Sequence, residues 1–215
     1  MAQPARSFEQ PHDRNSRLYA LGLDEATIEK MVVHGLVARQ ACSPFSPPSY
    51  PGTVQWAETT IASRQFLAPK DWTPDNSHGF PRVVSPDGRI AIFVATGDER
   101  TGIATAEPRT KYSKGPETSA AVAINEQLAF QLEGALAQPD AVKRETWAVL
   151  VTTNIYEMRY ELSCPSGQDS KGRVVSWSNR IIFPPVEIDG LPGRGDDHGD
   201  DDDGGSGIDV PIERI

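Results

Sequence analysis

Six consecutive apolar residues, Ile90-Ala91-Ile92-Phe93-Val94-Ala95, form the longest apolar run in the chain. A strand turns alternate side chains to its two faces, so such a run needs cover on both sides and reads as a central strand. It is far too short to span a membrane. The Ser85-Pro86-Asp87-Gly88 stretch before it is a tight-turn signal. Proline presets φ at the second position, and Asp and Gly accept the following ones. A hairpin of 82–85 and 89–96 follows.

Around that strand the periodicities alternate without βαβ regularity. Asp24 is a good N-cap, and Ile28, Met31, Val32, Gly35 and Leu36 follow at helical spacing. Asp24 and Glu25 also place negative charge at the positive end of that helix dipole. The four prolines between Cys42 and Gly52 predict an extended connector. A second helix is expected from Thr53, with Val54, Ala57 and Ile61 on one face and Ala68-Pro69 at its end. A third is expected over 116–136, burying Ala121, Ile124, Leu128 and Leu132. Strands are expected over 146–152 and 155–163. In the latter Tyr156, Met158, Tyr160 and Leu162 alternate with Glu157, Arg159 and Glu161, as in a sheet with one wet face. Val174-Val175 and 180–183 suggest short strands, ended by Pro184-Pro185.

These features predict an α+β fold: a mainly antiparallel sheet of about four to six strands packed with about three helices, plus a disordered acidic C-terminal tail. The expected organisation is a flexible leader over 1–15, one domain over 16–193 and the tail over 194–215. The polar stretch 97–116 has no period of its own and is expected to be the most exposed part of the body, above buried Ile92 and Val94.

Charge is distributed unevenly. The chain carries a net −9, with 30 acidic and 21 basic residues. Eight of the acids and only two of the bases lie beyond Gly193, so the tail holds −6 and the body about −3. A nearly balanced body does not indicate nucleic-acid binding, which draws on a basic face to release phosphate counterions. The polar first ten residues lack the apolar core of a secretory signal, so the expected location is the cytoplasm.

Candidate chemistry is sparse. Pro86-Asp87 followed by Asp98-Glu99-Arg100 partly resembles the metal-dependent nucleases of PD-(D/E)xK type. The resemblance implies two carboxylates holding Mg²⁺ or Mn²⁺ and a lysine that positions the attacking water; an enzyme of this kind would be built around Asp87, Asp98, Glu99 and Lys111. Arg100 stands where that pattern has lysine, a poorer fit because guanidinium stays protonated. The stronger reading of Asp87 is a turn residue, with no catalytic role. The 97–116 stretch also gathers glycines, hydroxyls and the cations Arg100, Lys111 and Lys114 just ahead of a helix N-terminus, a suitable place for an anion. It is not a Walker A loop.

Cys42 and Cys164 read as structural residues, and no Cys/His spacing suggests a metal ligand set, so no resident cofactor is expected. A helix-turn-helix over 18–39 is disfavoured because its second helix opens on Asp24-Glu25, which would repel phosphate.

The tail is the most specific feature. Its run Asp200, Asp201, Asp202 and Asp203 precedes Ile208, Val210 and Ile212 at strand spacing. Such a segment suits addition to an exposed sheet edge, the acids steering it towards a basic partner. The leading expectation is therefore a non-enzymatic interaction protein whose tail binds a protein with a basic, open sheet edge. An enzyme acting on a phosphate-bearing substrate is the alternative. No membrane partner is indicated, and the sequence leaves oligomeric state open.

Overall fold

The computed structural model describes residues 5–133 and 144–188, with 129–133 as backbone only. The elements, in chain order, are β1 Arg6–Phe8, α1 Pro11–Ala20, α2 Glu25–Gln40, α3 Tyr50–Leu67, β2 Thr73–Asp75 and β3 Arg82–Val84. Then come β4 Ile90–Thr96, α4 Pro116–Glu133, β5 Glu145–Thr153, β6 Glu157–Gln168, β7 Val174–Ile182 and β8 Val186–Glu187. Among the described residues the fold is α+β, with four α-helices on one eight-stranded sheet. The strand order is β1-β7-β6-β5-β4-β3-β2, with β8 paired to β6.

The sheet is mixed and larger than expected. β4 runs parallel to β5 and β1 parallel to β7, while the other pairs are antiparallel. Parallel neighbours need a crossover connection, and α4 supplies it between β4 and β5. The extra strands β1, β2 and β8 have two or three residues each, too short to show a period of two. Residues 6–15, read from sequence as leader, instead hold β1 and the first half of α1. Arg6, Ser7 and Phe8 pair with Asn179, Arg180 and Ile181, and α1 buries Leu18.

β4 is central, as its composition requires. Ile92 and Val94 join the core formed with α1, α2 and α3, while Phe93 and Ala95 face Ala121 and Val122 of α4. The hairpin before it also matches expectation, since Gly88 donates from N–H to the Ser85 carbonyl (2.9 Å) and takes φ 73°. The Asp24 side chain caps α2 by accepting from Thr27 N–H at 2.7 Å.

Two faces differ from expectation. α3 begins three residues earlier than Thr53, and Ile61 is exposed, while Gln55, Thr59, Thr60, Ala62, Ser63 and Leu67 are buried. The cause is close contact with α2 at Gly35, where an added Cβ would lie 2.0 Å from Thr59 Oγ1 and 2.7 Å from the Gln55 carbonyl. Small hydroxyl residues fit there, and Thr59 and Ser63 satisfy themselves by donating to the carbonyls of Gln55 and Thr60. In α4, Asn125 is buried and bonds Thr146 and Pro165, whereas Ile124 and Leu128 are only half-buried.

A further correction concerns the wet face of β6. Glu161 is wholly buried, because 97–116 lies across it. That segment is not simply exposed, since Gly97, Thr101, Pro108 and Thr110 are buried. Beneath it Arg180 is paired with Glu161 (2.6 and 3.0 Å) and donates to the carbonyls of Ala106 and Ile103. Gly102 N–H and Ser163 Oγ donate to the same carboxylate, and Trp177 Nε1 donates to the Pro108 carbonyl. A fully partnered buried ion pair thus takes the place of an apolar core under the loop. None of the described helices is long and apolar enough to cross a membrane.

The tail residues Asp200 to Asp203, Ile208, Val210 and Ile212 lie outside the described residues, as do the last residues expected for the third helix and the domain boundary at 193.

Candidate functional site: a basic cleft at the carboxyl ends of two parallel strands

β4 and β5 end side by side, Thr96 in register with Val151. The chain turns away beyond both ends, leaving a cleft of about 440 Å³ above them. Open α/β sheets place ligands at the carboxyl ends of their strands for the same reason. A volume of this size suits a small ligand.

Three segments wall the cleft. The first turn of α3, including Ser49, Gly52 and Thr53, opens onto it without a side-chain cap, so an 18-residue helix presents its positive end there. Trp56, one turn further, is fixed by donation from Nε1 to the Val94 carbonyl at 3.1 Å. Gln55 is tied to the Thr153 hydroxyl at 2.8 Å. Arg39 enters from the last turn of α2, with a guanidinium nitrogen 3.7 Å from where a Cβ on Gly52 would lie.

The third wall is the far limb of the 97–116 loop. Lys111 N–H donates to the Thr96 carbonyl at 2.9 Å, and Gly97 bridges Thr110. The buried Thr110 hydroxyl donates to the Tyr112 carbonyl and accepts from Val174 N–H. Lys114 N–H donates to the Gly172 carbonyl at 2.8 Å. Backbone pairing therefore fixes Lys111, Tyr112 and Lys114 along the cleft.

The electrostatics are one-sided. Arg39, Lys111 and Lys114 line the cleft, and no Asp, Glu, His or Cys stands among its described lining residues. None of the three cations belongs to an ion pair among the described residues. Burial pushes the Lys114 ammonium below its ordinary pKa, with no compensating carboxylate.

Of the sequence candidates, Lys111 and Lys114 come together here, and Arg100 lies outside the cleft lining. Arg39 is the residue that sequence reasoning missed. Its only signal was a cation at a helix C-terminus, which the dipole alone explains. The carboxylates named for a metal site are dispersed. Asp87 precedes β4 and Asp98 follows it, which separates them by the strand's seven residues, on the order of 23 Å.

Asp87 accepts from Ser85 Oγ (2.6 Å) and Arg89 N–H (3.0 Å), bonds that hold its pKa down. Asp98 accepts from the N–H groups of Arg100 and Arg109 and so staples the two limbs of the loop. Glu99 is exposed. Among the described residues no three metal-ligating side chains cluster. Asp87→Ala should therefore lower Tm slightly through the turn. Mg²⁺-dependent nucleic-acid cleavage lost in that variant, with folding intact, would restore a catalytic role.

The cysteines are free, and Cys164 is buried with its thiol pKa raised by that burial. No family model matches the chain, no curated protein is significantly similar to it in sequence, and no solved structure is significantly similar to its fold.

Proposed function

We propose that the protein binds a small phosphate- or carboxylate-bearing molecule in the cleft, holding it without metal assistance. The observation that carries this reading is the convergence of Arg39, Lys111 and Lys114 on one cavity with no carboxylate among its described lining residues. A partly desolvated ammonium such as that of Lys114 opposes folding unless an anion offsets it. The α3 N-terminus supplies further partial positive charge and the Thr96 hydroxyl a further donor.

Trp56 and Tyr112 add aromatic surface, which suits a ligand that carries an apolar or ring portion beside its anionic group. The described lining holds no Asp, Glu, His or Cys; Lys111, Lys114 and Tyr112 are its groups able to transfer a proton, and we read them as binding groups. The partner-binding tail remains a separate proposal, resting on the Ile208, Val210 and Ile212 alternation alone.

Titration of the full chain with pyrophosphate and with a nucleoside monophosphate, followed by Trp fluorescence and calorimetry, tests the cleft. Saturable one-to-one binding is expected, weakening about tenfold or more between about 0.05 M and 0.5 M salt as the charges are screened. Absence of saturable binding by both probes, or binding unchanged in Arg39→Gln, would overturn the assignment.

A further inference from the structure

We propose that the acidic segment of this same chain, residues 196–203, docks into the basic cleft and competes there with external anions. The proposal rests on reading the cleft as an anion site.

Three observations carry it. The first is charge complementarity: the cleft's three cations have no described carboxylate partner, and residues 196–203 hold six aspartates. The second is the place where the described body ends. Ile188 is fixed by donation from its N–H to the Tyr156 carbonyl (2.8 Å), beside the β8–β6 pair. Its side chain lines a second hollow of about 500 Å³ that shares Arg39 and Thr153 with the basic cleft. The two hollows are therefore neighbours, with Arg39 and Thr153 common to both, and the described body ends beside the cations.

The third observation is reach. Asp196 follows Ile188 by eight residues, which can extend about 26–29 Å, ample for a neighbouring cleft. Tethering by so short a segment gives an effective concentration on the order of millimolar. An intrinsically weak contact between aspartates and lysines then suffices for substantial occupancy. The glycines at 195 and 199 let the run bend without steric cost.

A nitroxide on Gly199→Cys, in a full chain carrying Cys42→Ser, reads this contact without any ligand. Cys164 is 1% exposed and escapes labelling, and serine can keep the bond that Cys42 makes to the Ala38 carbonyl. At low salt the amide signals of Lys111, Tyr112, Lys114 and Thr153 should broaden. That of Gly88, at the opposite end of β4, should not. High salt should restore the broadened signals.

Replacing the six aspartates by serine should also raise pyrophosphate affinity about threefold or more at low salt, the gain vanishing at high salt. No broadening at low salt overturns the proposal. Broadening with no binding of any probe, even in the serine variant, upholds the tail contact and removes the external-ligand reading instead.

Discussion

Arg180→Met should lower the unfolding free energy by about 3–5 kcal/mol, the cost of leaving a buried charge without its partner. Glu161 has no exposed surface, and Arg180 is only 2% exposed. Without the guanidinium, the carboxylate keeps only Gly102 N–H and Ser163 Oγ as donors. The carbonyls of Ile103 and Ala106 lose their side-chain donor at the same time. A domain of ordinary stability has about 5–15 kcal/mol in total, so urea denaturation should show a large shift in midpoint. The double variant Glu161→Leu/Arg180→Met should cost far less than the sum of its singles, because no charge is then stranded. Additive losses in that cycle would show that the pair does not act as a unit. The loss should reach the cleft too, since the segment that Arg180 anchors continues into Lys111 and Lys114.

The sequence made legible those features that are fixed locally. The Ser85-Pro86-Asp87-Gly88 turn, the Asp24 cap and the two-sided burial of β4 each follow from residues within a few positions of one another. Features that depend on distant partners were hidden. Glu161 reads as a solvent-facing strand residue until Arg180 and the 97–116 loop are laid over it. Ile61 reads as a core residue until Gly35 brings α2 close against Gln55 and Thr59, the face of α3 that is buried in its place.

The site was half legible for the same reason. Lys111 and Lys114 stand out in a polar stretch ahead of a helix. Nothing in the sequence joins them to Arg39, because the cleft exists only through the parallel pairing of β4 and β5. Asp98 belongs to the same lesson: an acid in a polar loop suggested chemistry, and its hydrogen bonds give it the work of closing the loop.

In a background whose six aspartates over 196–203 are serine, so that the tail supplies no counter-charge, Lys114→Met should make the unliganded protein more stable and its anion binding weaker, by about ten- to a hundredfold. The loss matches a charge-assisted hydrogen bond of roughly 1.5–3 kcal/mol. The gain in stability arises because the ammonium is partly desolvated with no counter-charge, whereas a methionine chain fills similar space at no electrostatic cost. Linkage fixes the pH dependence. The folded-state pKa lies below the ordinary 10.5, so between the two values the unfolded chain binds the extra proton. Stability from this group therefore rises with pH across that window, and the penalty is present in full below it. The advantage of Lys114→Met over the same background with Lys114 intact should accordingly be largest near neutral pH and shrink as pH approaches 10.5. A bound anion supplies the missing counter-charge, so saturating pyrophosphate should raise the Tm of the protein with Lys114 intact more than that of the variant. Thermal unfolding of both proteins across that pH range, with and without pyrophosphate, measures all three effects. Equal pyrophosphate shifts in the two proteins would place the anion away from Lys114, and a less stable variant would mean that the side chain already has an anionic partner in the free protein.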